Sequence, residues 1–157
     1  MKGHKPKITL DTSVIVKWFR EEDDREYALL IREWITEDLV EAEVSTIALT
    51  ELARALMKAK WKKADIYELL ELLNDIIRPG IINLIHVDDL IAQNAQRLIV
   101  EHNLYSADAI HTSTAILTDS DYFISADKHH LKKKLVDVLG NWDVKAIPLS
   151  GISIVKF

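Results

Sequence analysis

The sequence predicts an α/β fold, a three-layer sandwich in which helices flank a central, mainly parallel sheet of four or five strands. Two observations predict it. Short apolar runs alternate along the chain with longer segments whose apolar residues recur at helical spacing, and strands separated by helices pair in parallel through right-handed crossovers. No internal repeat, low-complexity tract or compositional break divides the 157 residues, so a single domain over 1–157 is expected.

Taken in order, Ile8 to Leu10 reads as the first strand and Ser13 to Phe19 as the helix after it. Asp24 to Glu37 places Tyr27, Leu30, Ile31 and Trp34 at helical spacing. Glu43 to Ser45 is a brief strand. Thr46 to Lys60 and Ala64 to Ile77 are helices, the second stopped by Pro79-Gly80. Ile82 to Val87 is a strand, and Asp88 caps a helix reaching His102. Ser106 caps another to Leu117. Tyr122 to Ser125 is a strand, Lys128 to Leu139 a helix and Val144 to Pro148 the last strand, with Gly151 to Phe157 an edge strand or a loose end.

Composition narrows the function. Hydrophobic residues at 48% and charged residues at 29% describe a globular chain rather than a disordered one. The absence of cysteine excludes disulfides, zinc–thiolate sites and thiol nucleophiles. Asp11 and Lys17 interrupt any signal-like apolar stretch, and no uncharged run approaches the ~18 residues of a membrane helix, so a cytoplasmic protein without a membrane partner is expected. A net charge of -5 argues against a uniformly basic nucleic-acid surface and leaves room for a local acidic site working through a metal.

Four acids need explaining. Asp11 directly follows the first strand, at the carboxyl end where such sheets carry their sites. A charge between two apolar segments is costly unless something neutralises it, although Asp-Thr-Ser is also good N-cap chemistry. Ser13 is placed to orient Asp11. Asp127 lies just past the strand ending at Ser125, on the same edge, with the same cap alternative for a helix starting at Lys128. Glu51 falls within the apolar stripe of Ile47, Ala48, Leu52 and Ala55, where a carboxylate demands a partner, a proton or a cation. Asp108 occupies the first turn of its helix, where the dipole alone favours an acid. Asp119 and Asp121 precede a strand and read as turn residues on the opposite edge. Carboxylates clustered without Cys or His form hard, oxygen-rich ligation, which suits Mg²⁺ or Mn²⁺ rather than zinc.

The stretches LDTSVIVKWF, STIALTELARAL, YSADAIHTSTA and FISADKHH resemble, in order and across nearly the whole chain, the motifs of PIN-domain nucleases, in particular the VapC-type toxins of toxin–antitoxin pairs. The resemblance carries the family's acids onto Asp11, Glu51, Asp108 and Asp127, and its closing hydroxyl residue, often Thr, onto Ser125. It implies a PIN-like fold, Mg²⁺- or Mn²⁺-dependent cleavage of RNA, a homodimer and an antitoxin partner. Asp11, Asp108 and Asp127 would then hold one or two cations, with Glu51 either ligating or aligning the attacking water.

Phosphates need cations as well. Lys17 and Arg20 behind Asp11, and Lys128 with Lys132, Lys133 and Lys134, are the candidate RNA contacts, while Lys58, Lys60, Lys62 and Lys63 form a second basic run. His129-His130 reads as surface, since neighbours on a helix diverge by ~100° and do not share an ion. Two other functions remain open at this level. One is a non-catalytic PIN module that binds RNA or a protein. The other is an aspartyl-phosphate phosphatase, against which Ser13 stands where a second acid is usual. The apolar helix Ile66 to Ile77 presents more than one apolar face, as a subunit or antitoxin contact would require.

Overall fold

Ile124 packs into one helical layer and its neighbour Phe123 into the other, the two-residue period of a strand buried on both faces. The computed structural model describes residues 4–128 and 131–157. Its strands are β1 (Lys7–Leu10), β2 (Glu41–Ser45), β3 (Ile82–Ile85), β4 (Tyr122–Ser125) and β5 (Lys145–Pro148). They form one wholly parallel sheet in the order β3-β2-β1-β4-β5. The register sets Thr9 of β1 opposite Glu43 on one side and Phe123 on the other.

The helices are α1 (Thr12–Phe19), α2 (Arg25–Thr36), α3 (Ile47–Lys58), α4 (Lys63–Ile77), α5 (Asp89–His102), α6 (Ser106–Leu117) and α7 (Lys133–Gly140). One layer joins Val14, Trp18, Ile31, Leu52 and Leu69 of the first four helices to Ile8, Leu10, Val44 and Ile147 of the sheet. The opposite layer joins Leu98, Ala109, Leu135 and Leu139 of the last three helices to Phe123 and Ala146. A 3₁₀ turn over Leu149–Ile154 follows β5.

Four local expectations are corrected. The tail is neither an edge strand nor loose: Leu149, Ile152 and Val155 are buried at a spacing of three, which suits a 3₁₀ turn rather than strand alternation. The strand expected over Ile82 to Val87 ends at Ile85. Ser106 is the first residue of α6 and not its cap; Tyr105 holds that position without a side-chain cap bond. The last helix begins at Lys133 rather than Lys128: Lys128 lies in a turn and Lys132 holds the cap position of α7. Asp88 does cap α5, accepting the Ile91 N–H at 2.9 Å.

The strand order places the site. The chain runs outward from β1 to β2 and β3, then returns to the other side of β1 for β4 and β5. The crossover direction therefore reverses between β1 and β4, and a crevice opens beyond their carboxyl ends at such a reversal. Asp11 and Asp127 follow those two ends.

Candidate active site

Asp11 is fixed from three directions. Its backbone N–H donates to the Ile124 carbonyl at 2.9 Å, so the residue that leaves β1 stays tied to β4. Its Oδ2 accepts the Ser13 hydroxyl at 2.5 Å and the Ser125 hydroxyl at 3.0 Å. Each serine in turn accepts a backbone N–H of the Asp127 loop: Ser13 from Ala126 at 3.0 Å, Ser125 from Asp127 at 3.1 Å. A hydroxyl has a single proton, and both are spent on Asp11, so the 3.3 Å approach of the two hydroxyls is proximity rather than a further bond. Two serines thus set the spacing between Asp11 and the Asp127 loop. Asp11 holds the cap position of α1 but makes no side-chain cap bond, and Asp127 caps nothing, since α7 starts well past it.

Glu51 is half-buried on α3, as its place in an apolar stripe requires. Its Oε1 accepts the Thr12 hydroxyl at 2.8 Å and stands 2.6 Å from Nε2 of the fully buried His111. An ionised carboxylate only accepts, so His111 carries its proton on Nε2 in this contact. The same nitrogen lies 3.6 Å from Asp11 Oδ1, which makes His111 the link between the two acids. Burial pushes the Glu51 carboxyl up, the largest single influence, and Asp11 adds repulsion. The hydrogen bond and charge of His111 and the hydroxyl of Thr12 outweigh both, and the net shift is downward. Glu51 is therefore ionised at neutral pH.

Asp108 sits in the first turn of α6 and is half-buried, while Asp127 is exposed on its loop. Asp11, Glu51, Asp108 and Asp127 all line one hollow of about 490 Å³, with Ser13, Lys17 and Arg20 on its wall. Ser125 is fully buried behind Asp11. Lys128 is exposed and does not line the hollow, and neither does the basic run from Lys58 to Lys63. Lys17 and Arg20 are held by one acid: Glu22 takes Lys17 Nζ at 3.2 Å and Arg20 Nη1 at 2.9 Å. The expectation for His129-His130 lies outside the described residues. Asp121 and Asp119 are on the far edge, as their order before a strand requires; Asp121 accepts the Lys7 N–H at 2.8 Å and Asp119 turns with φ of 57°.

Sequence reasoning missed His111, Thr12 and Glu22. His111 carried a readable signal: it stands three residues after Asp108, hence on the same helix face, among small residues. The donor chemistry of the hollow, carboxylate and hydroxyl oxygen in a chain without thiols, fits a hard divalent cation. Among the described residues no group of three or more His, Asp or Glu side chains is already arranged to hold an ion, so the carboxylates fit such a cation by type and place rather than by finished coordination.

A family model described as the PIN domain matches residues 8–134. Several solved structures are similar in fold. VapBC2 from Rickettsia felis, bound to a DNA fragment from the promoter, aligns with a TM-score of 0.64 at 15% identity over 90% of this chain and 98% of that one. FitAcB from Neisseria gonorrhoeae gives 0.63 at 21% identity over 91% and 98%. A toxin–antitoxin complex from Klebsiella pneumoniae gives 0.58 at 20% over 80% and 91%. No curated protein matches by sequence.

Proposed function

The chain belongs to the PIN domain family, and from that premise we propose that it is a divalent-cation-dependent endoribonuclease acting as the toxin of a toxin–antitoxin pair. One observation carries the reading: four acids from four elements converge on one hollow at the sheet's topological reversal, and Asp11 is oriented by two serines that also hold the Asp127 loop.

Asp11, Asp108 and Asp127 would hold Mg²⁺ or Mn²⁺, with Glu51 as the further donor. When bound, such a cation supplies Lewis-acid polarisation of a phosphodiester and lowers the pKa of a bound water. The remaining work belongs to the chain's own groups. Ser13 and Ser125 fix the carboxylate plane of Asp11. His111 and Thr12 both bond to Oε1 of Glu51, which leaves Oε2 to align an attacking water or accept its proton. His111 buffers the charge of Asp11 and Glu51, which repel each other. Lys17 and Arg20 supply positive charge on the wall a phosphate must pass.

The toxin reading draws on the fold shared with the FitAcB and VapBC2 structures, and an antitoxin is the partner it implies. A homodimer is part of the same reading: Tyr67 and Leu72 of α4 are 71% and 54% exposed, to either side of the core face formed by Ile66, Leu69 and Leu73, so α4 carries apolar side chains beyond those its core uses. Sedimentation that finds only monomer at high concentration removes that part.

Cleavage of a mixed RNA pool with Mg²⁺ or Mn²⁺, comparing the wild-type chain with Asp11→Asn and Asp108→Asn, tests the reading. Metal-dependent cleavage lost in both variants, with circular dichroism unchanged, supports it. An inactive wild type that still binds RNA or a protein moves the chain to the non-catalytic reading. Equal cleavage by all three assigns the activity to a contaminant.

A further inference from the structure

A second hollow, of about 710 Å³, adjoins the acid site and shares Asp108 and Asp127 with it; Tyr105, Lys132, Lys134 and Leu135 lie along its walls. We propose that this hollow is a subsite for a nucleotide flanking the scissile phosphate of single-stranded RNA, with Tyr105 stacking on the base and Lys132 and Lys134 meeting the backbone. The proposal rests on the nuclease reading above and extends it to the path of the substrate.

Tyr105 is 83% exposed, yet its backbone is tied into the start of α6. It occupies the cap position of α6, its carbonyl accepts the Ala109 N–H at 2.9 Å, and its neighbour Leu104 packs against the core of the second layer. An exposed Leu or Val commonly has no role. A ring held on a fixed backbone beside acids and lysines is different, because it offers a flat face at no ordering cost to the backbone. Base–aromatic stacking uses such a face and tolerates any base.

The charge pattern points the same way. The carboxylates of the first hollow repel a polyanion, so RNA reaching it needs cations on the approach. Lys17 and Arg20 are engaged by Glu22, whereas neither Lys132 nor Lys134 forms an ion pair among the described residues. Both lysines are exposed just ahead of and within the first turn of α7. Asp108 and Asp127 form the wall common to both hollows, so a strand in the second hollow would present its next phosphate to the acids.

The test uses the full chain and a labelled single-stranded RNA of mixed sequence. Binding is read by anisotropy in EDTA, and cleavage as kcat and KM with Mn²⁺. Tyr105→Ala is expected to weaken binding at least about fivefold, the loss of one stack, with kcat nearly unchanged. Tyr105→Phe and Tyr105→Trp restore it. An RNA abasic at the flanking position makes wild type and Tyr105→Ala equal, which a merely structural role would not do. Replacing both Lys132 and Lys134 by Ala lowers the slope of log affinity against log salt by about 1.4, at ~0.7 per single-strand phosphate contact. If the wild-type chain binds and cleaves RNA but Tyr105→Ala does so equally well, the subsite is wrong and the nuclease reading stands. A wild-type chain that neither binds nor cleaves RNA overturns both.

Discussion

His111 Nε2 stands 2.6 Å from Glu51 Oε1, a contact made between α6 and α3 by residues 60 apart in the chain. The imidazole is fully buried, so water does not compete for its side of the bond, while the Glu51 side chain keeps partial access to solvent. Truncating His111 to Ala leaves Glu51 facing Asp11 with Thr12 as its one side-chain donor among the described residues. The expected cost is about 1–3 kcal/mol of stability, seen as a Tm lower by several degrees, and cleavage falls with it. An unchanged Tm would remove the structural role assigned to this pair.

The same pair sets a pH dependence. The folded-state pKa of Glu51 lies below its ordinary value of 4.5, so the unfolded chain takes up its proton first as pH falls. The stabilisation is fully present above about 4.5 and is lost as pH drops through the lower, folded-state value. Urea midpoints for wild type and Glu51→Gln should therefore differ most near neutrality and converge in acid. Partial exposure of the side chain makes the difference small. Convergence on raising pH instead would reverse the sign and contradict the assignment.

Ser13 and Ser125 are the next targets. Ser13→Ala and Ser125→Ala each remove one donor to Asp11 Oδ2 and one acceptor for the Asp127 loop. Groups of this kind typically carry 10–100-fold in metal affinity or activity, and a loss of about that size is expected in Mn²⁺-dependent cleavage, with the fold intact. Replacement by Thr at position 125 keeps the hydroxyl and should retain activity. Full activity in both alanine variants would show that Asp11 needs no orientation.

Glu22 restrains two cations at the hollow's wall. Glu22→Gln removes the charge that pairs with Arg20 and Lys17, although Lys17 Nζ keeps its bond to the Asp23 carbonyl at 2.7 Å, so RNA affinity should rise by about two- to fivefold at low salt, mainly through Arg20. The gain should vanish at high salt. Weaker RNA binding in this variant would mean that Glu22 positions the two cations rather than occupying them.

Much of this protein was legible in order alone. The fold class, the parallel sheet and the placement of Asp11 and Asp127 on one edge follow from local facts: apolar periodicity, and an acid standing just after a strand. The half-buried position of Glu51 also followed from its place in a helical stripe. The boundaries that failed are those where spacing was ambiguous, as in the tail, whose apolar residues at intervals of three form a 3₁₀ turn against the core.

What only the tertiary structure decided is who meets whom. The sequence by itself determined a sheet edge rich in carboxylates, but its reading gave Glu51 no partner and counted Lys17, Arg20 and Lys128 as equal phosphate contacts. Packing of α6 across β2, β1 and β4 sets His111 against Glu51 and Asp11. The turn after α1 sets Glu22 on Lys17 and Arg20, and the loop after β4 leaves Lys128 outside the hollow. Periodicity reports which face of an element is buried. It holds no information on which buried face lies opposite, since that is fixed by contacts between residues far apart in the chain.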